Sequence, residues 1–394
     1  MYVAELDRPW LESPFLFQGF RIETNDDLAS LREHCEYVYV DTDKGLTPDP
    51  ADAAKTLQTR AITAEITFDP PKSPVYEDAH PVETEWPEAE QACQSLDGAI
   101  KEVFDVVRAG GVIDIDKLDD AVEPVIDSVV RNPDAMLWLS KMRCKGGYTY
   151  RHSLRSSVLA ANFGRHLGLA RELMDSLAFG GLLIDIGKTK IPTSVLEKSG
   201  PLTAEETALV RKHVELGVEL LESRDKVDPR VIAMVRCHHE RYDGSGYPDA
   251  LAADSIPTFG KIAGIVDSFD AMTSERGYGR LLSTHSALNQ LNKERDTKFE
   301  AALVEQFIQA LGIYPAGSLV ELSDGSVGAV VEQNRRRRLK PRILLILGCD
   351  KTPLGEPRVI DLMIENETHG QSLLHIAASL QSGKYGIDPD DYFL

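Results

Sequence analysis

From Glu88 to Leu311 the chain repeats apolar residues at helical spacing almost without a break, and this feature limits the fold more than any other. In EAEQACQSLDGAIKEVFDVVRAG, residues Ala92, Leu96, Ile100, Val103 and Val107 share one face of a helix. Residues 117–142 continue the pattern, and from His152 to Gly312 nearly everything reads as helix joined by short loops. Thr203 and Glu206 form a capping box ahead of ALVRKHVELGVELLE, and Asp228-Pro229 places a cap and a first-turn proline ahead of VIAMVRCHH. The flanks differ. Phe15 to Ile22 is apolar and extended, Asn25-Asp26-Asp27 offers helix caps, and EYVYV (Glu36 to Val40) is a strand signal. Residues 41–87 are rich in Pro, Asp and Glu and predict a long connection. Beyond Pro315, β-rich runs surround the hairpin dipeptide Asp324-Gly325, followed by RILLIL (Arg342 to Leu347) and VIDLMI (Val359 to Ile364). The predicted chain is mainly α: a small amino-terminal α/β unit with linker (1–85), a helical bundle (86–312) and a small carboxy-terminal β module (313–394).

Composition narrows the function classes. With 394 residues, 42% hydrophobic and 27% charged, the chain is long enough for two or three soluble domains. No apolar stretch approaches membrane-spanning length, and the start MYVAELDRPW lacks the pattern of a signal peptide, so the expected location is the cytoplasm, with no membrane partner. The five cysteines form no CxxC pair, which points to reduced, mostly buried thiols rather than a zinc ribbon or a disulfide framework. The net charge of -20 repels a nucleic-acid polymer, yet a small anionic substrate is accessible wherever a metal supplies a local positive field. Four consecutive arginines, Arg335 to Arg338, oppose that charge. They read either as a solvated loop between strands or as a contact for an anionic ligand or acidic partner.

The chemistry-bearing residues lie in the helical stretch, in the order His152, Asp185, His213, His238, His239 and Asp267. Imidazole nitrogen and carboxylate oxygen together suit Fe, Mn, Zn and similar divalent ions. Adjacent histidines on a helix point about 100° apart, so one can face a metal while the other reaches a second metal or the substrate. A carboxylate such as Asp185 can bridge two ions, and two ions can clamp a phosphodiester. His34, His80, His166, His285 and His369 have no such context and read as structural.

His238 to Pro248 reads HHERYDGSGYP and resembles the HHExxDGxGYP signature of HD-GYP proteins. YTYRHS, DIGKTKIP, LVRKHVELG and VDSFDAMTSER stand around it in that family's order and at its separations, so that the match covers residues 147–311. The flanking units also resemble those of one HD-GYP subgroup. The resemblance implies an all-helical HD fold, two divalent metal ions and hydrolysis of cyclic di-GMP to pGpG or GMP. It implies a first metal on His152, Asp185 and Asp267, and a second on Asp185, His213, His238 and His239. Asp185 and Lys188 would be catalytic; Lys188 and Arg276 would contact substrate phosphate, and Tyr247 would line the nucleotide pocket. Diguanylate cyclases or other signalling proteins are the partner class the family suggests.

The pattern breaks at the family's His-Asp pair, which here is Ile184-Asp185. Isoleucine cannot ligate a metal, so the first site is expected to be weakened and under-occupied. The position four before His152 is Tyr148, not a carboxylate, so no third metal is expected. Gly277 and Gly279 stand near Arg276 where many relatives have RPYR, which removes stiffness and one cation from that segment. Three readings remain at this stage: an active phosphodiesterase with a weak first metal, a silent module that senses cyclic di-GMP or docks a protein, and an HD-type hydrolase for another nucleotide.

Overall fold

The computed structural model describes residues 2–6, 20–22, 31–32, 35, 38–40, 76–142, 148–198, 200–224, 227–274, 281–335, 337–364 and 374–387. The chain divides into two compact units: Met1–Ser73 with Arg335–Arg338, and Pro74–Asn334 with Leu339–Leu394. In the first unit, β1 (Tyr2–Leu6) pairs antiparallel with β2 (Phe20–Arg21) and β3 (Val38–Val40), in the order β2-β1-β3. The EYVYV strand signal is therefore met at its end, while most of the run from Phe15 to Ile22 lies outside the described residues.

The second unit begins with α1 (Val82–Arg108). Its start corrects the expected linker, whose last residues are helical. The cause is burial: Val82 is fully enclosed, and the buried Glu85 carboxylate takes both Nε (2.8 Å) and Nη2 (2.7 Å) of Arg131. Residues 117–142 form two helices rather than one, α2 (Ile115–Arg131) and α3 (Pro133–Met142). Asn132 between them is extended because Pro133 disfavours helical backbone at the residue before it. The bundle continues through α4 (Tyr148–His166), α5 (Arg171–Leu183), a 3₁₀ turn (Ile186–Lys190), α6 (Thr193–Leu196), α7 (Ala204–Arg211), α8 (His213–Glu222), α9 (Pro229–Cys237), α10 (Thr258–Thr273), α11 (Thr284–Lys293) and α12 (Ala301–Leu311). The Thr203–Glu206 capping box is formed, and the Asp228 carboxylate caps α9. The bundle is held around fully buried Trp138, Phe104, Phe163, Phe269 and Phe307. Phe307 meets Phe163 and Phe269 edge-on at 5.2 and 5.4 Å, each pair adding about 0.5–1.5 kcal/mol beyond area burial.

The carboxy-terminal sheet has five antiparallel strands in the order β7-β6-β5-β4-β8: β4 (Leu319–Leu322), β5 (Val327–Glu332), β6 (Arg342–Leu347), β7 (Pro353–Asp361) and β8 (Ile376–Ser379). Gly325, at φ +88°, closes the β4–β5 hairpin where Asp324-Gly325 predicts it. VIDLMI is only partly strand. Asp361 Oδ1 accepts from the Met363 amide at 2.8 Å, which turns the chain, and Leu362 to Ile364 are helical. The sheet docks on the helices through Asp134, whose carboxylate accepts from the Gln333 amide at 2.9 Å. The arginine run lies in the loop between β5 and β6, as expected; Arg336 is outside the described residues. Of the cysteines, Cys93 and Cys237 are buried, whereas Cys349 is exposed, against the expectation of burial. Among the described residues no helix is long and apolar enough to cross a membrane.

Candidate metal centre

Five segments bring the six ligand-type side chains together. His152 sits in the second turn of α4, Asp185 follows α5, His213 opens α8, His238 ends α9 with His239 next, and Asp267 lies within α10. The sequence predicts one helix through His213, but the structure breaks it at Lys212. The His213 ring takes the Val210 carbonyl (Nδ1 to O 2.6 Å), which an uninterrupted helix would use for its own ladder. Gly187 makes the approach of Asp185 to α8 possible: a Cβ there would lie 1.9 Å from the His213 carbonyl oxygen.

Asp185 is the junction. Its Oδ2 lies 3.5 Å from His152 Nε2 and accepts from Lys188 Nζ at 2.5 Å. Its Oδ1 lies 3.4 Å from His213 Nε2 and 3.9 Å from His238 Nε2. That oxygen is buried and accepts no hydrogen bond among the described residues. Burial alone would raise the Asp185 pKa; Lys188 and the surrounding imidazoles overturn that and hold the carboxyl ionised far below its ordinary range.

On one side of Asp185 stand three histidines whose ligating atoms all lie within 4.8 Å of one another: His213, His238 and His239. Nδ1 of His213 donates to Val210 O and Nδ1 of His238 donates to Val235 O (2.8 Å). In a neutral imidazole, a proton on Nδ1 leaves a lone pair on Nε2. The two Nε2 atoms face each other at 3.3 Å, so two acceptors converge where neither can donate. Burial holds the rings neutral: His213 is pushed down to about 4, and His238 and His239 also fall. Converging neutral imidazole lone pairs beside a buried, unpaired carboxylate oxygen are what a divalent cation requires.

The other side is charged. His152 Nε2 lies 3.2 Å from Asp267 Oδ1, and its Nδ1 donates to Asp270 Oδ2 at 2.8 Å. Burial opposes a charge on His152, but the carboxylates of Asp267, Asp270 and Asp185 overcome it and raise the group to about 9. Asp267 stays ionised against its own burial because His152 and His239 flank it. Ile184, the last residue before Asp185, is fully buried.

Tyr247 joins this wall. Its ring stacks on His239 (centroids 4.6 Å apart, planes at 26°), and the Arg211 guanidinium lies 4.7 Å from its centroid. The GYP turn is fixed from beneath by Glu240, whose carboxylate accepts from the amides of Asp249 (2.7 Å) and Leu251 (3.0 Å). Gly246 has no room for a side chain, since a Cβ would lie 2.4 Å from Glu240 Cα. Arg276 lies outside the described residues. Sequence reasoning missed Asp270, Arg211 and Glu240. Asp270 carried a usable signal, being three residues after Asp267 and so on the same helix face. Glu240 stands inside the signature itself.

A family model described as HD domain matches residues 136–303, and one described as a domain of unknown function matches residues 1–118. The cyclic di-GMP phosphodiesterase PA4108 of Pseudomonas aeruginosa is 34% identical over 365 residues, covering 92% of this chain and 86% of its own. This chain belongs to the HD-GYP family. Other relatives match over shorter spans. The 3'3'-cGAMP-specific phosphodiesterase 2 of Vibrio cholerae is 36% identical over 40% of this chain and 30% of its own. The response regulator RpfG of Xanthomonas campestris, a cyclic di-GMP phosphodiesterase, is 36% identical over 39% of this chain and 41% of its own.

Proposed function

We propose that this HD-GYP chain is a metal-dependent phosphodiesterase that hydrolyses cyclic di-GMP to pGpG or GMP. The observation that carries the reading is the two-sided placement of Asp185, with one carboxylate oxygen facing His152 and the other facing His213 and His238. The donors fit divalent ions such as iron or manganese: His152, Asp185 and Asp267 would hold one, and Asp185, His213, His238 and His239 the other. When bound, the ions supply Lewis acidity and an activated water for attack on phosphorus. Lys188, partly exposed beside Asp185, is placed to meet a substrate phosphate oxygen and stabilise its developing charge. Tyr247, backed by His239, offers a flat surface for a base, and Arg276 would add a second phosphate contact. With Ile184 in place of an imidazole, the first ion would have one protein ligand fewer and would be held more weakly. The functional division is 1–85, 86–312 and 313–394, with the bundle as the catalytic part. Diguanylate cyclases or other signalling proteins are the proposed partner class.

The test is hydrolysis of cyclic di-GMP by the purified full-length chain with added manganese or iron, compared with Asp185→Ala. Guanine-nucleotide product from the wild type and none from the variant is the expected result. A parallel arm with 3'3'-cGAMP reads substrate preference. Buried Ile184 favours a second reading, a module that binds cyclic di-GMP without turnover. Saturable binding with no product under either metal would establish that reading and overturn the first.

A further inference from the structure

A cavity of about 360 Å³ lies between α3, α4 and α10 and the carboxy-terminal sheet. Among the described residues Lys141, Arg151 and Arg155 line it, against one carboxylate, Asp270. That is a local excess of positive charge in a chain whose net charge is -20. Arg155 is already engaged: its guanidinium donates to Ser140 O (3.1 Å), Lys141 O (3.3 Å) and Ser274 Oγ (2.6 Å), and it lies 3.9 Å from Asp270 Oδ1. The other two cations are less well met among the described residues. Among the described residues Lys141 Nζ reaches the Thr284 hydroxyl, at 3.4 Å. Burial, then the neighbouring Arg155, push its pKa down to about 8. Arg151 Nε is buried and finds no acceptor among the described residues. A buried donor left unmet is costly, and a guanidinium is met best by a two-oxygen anion.

We propose that this cavity is a second anion site, separate from the metal centre, which takes a small organic phosphate. Arg151 and Lys141 would hold the phosphate, with the Thr284 hydroxyl beside them, while Leu159 and Phe269 provide an apolar wall for the organic body. The volume suits a mononucleotide-sized molecule. The site uses none of the metal ligands. It meets them through Asp270, which lines the cavity and holds His152 Nδ1, and through Arg151, the chain neighbour of His152.

The test is calorimetric titration of inorganic phosphate and of adenosine monophosphate into the full-length, metal-loaded protein. Wild type, Arg151→Gln, Lys141→Met and His213→Ala are compared. The wild type is expected to bind adenosine monophosphate saturably, and more tightly than phosphate alone. Arg151→Gln and Lys141→Met should each weaken that binding about tenfold or more, while His213→Ala leaves it unchanged. Among the described residues Arg151 Nε has no hydrogen-bond partner that the substitution would remove, so its variant should melt close to the wild type; Lys141→Met keeps the stem volume and serves as the second check. No saturable binding of either probe by the wild type would overturn the proposal. So would undiminished binding in both cavity variants, or loss of binding in His213→Ala, which would place the anion at the metal centre. Because every arm reads binding rather than turnover, the result is independent of whether the chain hydrolyses cyclic di-GMP.

Discussion

The two sides of Asp185 solve the same problem in opposite ways. On the His213–His238–His239 side, backbone carbonyls hold Nδ1 of two rings, burial keeps the rings neutral, and the Nε2 lone pairs of His213 and His238 converge beside the Asp185 carboxylate with no proton between them. On the His152 side, carboxylates surround one imidazole and hold its proton on, so the charges there already balance within the protein. The first arrangement is incomplete without a cation; the second is nearly self-sufficient. It is on this second side that Ile184 replaces a ligand. The centre of this chain therefore has one half that is incomplete without a cation and one half in which a cation would have to displace a proton and a set of ion pairs.

The largest expected effect separates the halves directly. Of the six ligand-type residues, Asp270 meets His152 among the described contacts, so Asp270→Asn should weaken metal binding on that side by about 10–100-fold and leave the three-histidine side intact. Elemental analysis should then show roughly half the metal content of a fully loaded wild type rather than none. Equal loss from both sides would mean that Asp185 couples them so tightly that the comparison has no content.

Ile184→His sharpens the contrast from the other direction. Ile184 is fully buried, so a histidine without a metal is a buried polar group lacking a partner, at a cost of about 1–3 kcal/mol. With chelator present, the variant should melt below the wild type. Added manganese should restore the melting temperature, raise metal content and increase turnover most where metal is limiting. A lower melting temperature that manganese does not rescue would show that residue 184 faces the core and not the ions.

The bundle was legible because helical periodicity is a local signal, and the capping box at Thr203 and the cap at Asp228 are read within four residues. The gathering of the six ligand-type residues followed from a resemblance to known proteins. Spacing alone does not place Asp185 against His213, since that contact depends on Gly187 passing within van der Waals distance of the α8 backbone. Other features were not legible for the same reason, because they are made by tertiary packing. Arg211 reaches Tyr247 only after the GYP turn folds back on His239, and Glu240 declares its role only when Asp249 and Leu251 return to it. The break at Lys212 was hidden because a side chain, not a proline or glycine, removes the carbonyl that would continue the helix.

The smallest effect tests whether the three-histidine side is rigid for reasons outside the site. His238 and His239 stand at the end of α9, a nine-residue helix whose first turn is held by Asp228. The Asp228 carboxylate accepts from the Arg230 amide (2.8 Å) and Ser176 Oγ (2.8 Å), and it pairs with the Arg230 side chain. Arg230 above all holds its pKa at about 2, below the ordinary 3.8. A depressed carboxyl stabilises the fold fully above 3.8 and loses that contribution as the pH falls through about 2. The pair is partly exposed, so solvent screening leaves most of the effect in the cap itself. Asp228→Ala should therefore lower stability near neutral pH by about 1 kcal/mol in denaturant titrations. Asp228→Asn, which caps as well without the charge, should lose only a few tenths. The gap between wild type and Asp228→Ala should narrow as the pH drops below 3.8, since protonation removes the advantage that the substitution removes at neutral pH. Metal content should hardly change in either variant, because the carbonyls of Val210 and Val235 orient His213 and His238 independently of the helix start. A large loss of metal in Asp228→Ala would show instead that the three-histidine side is positioned from the far end of α9.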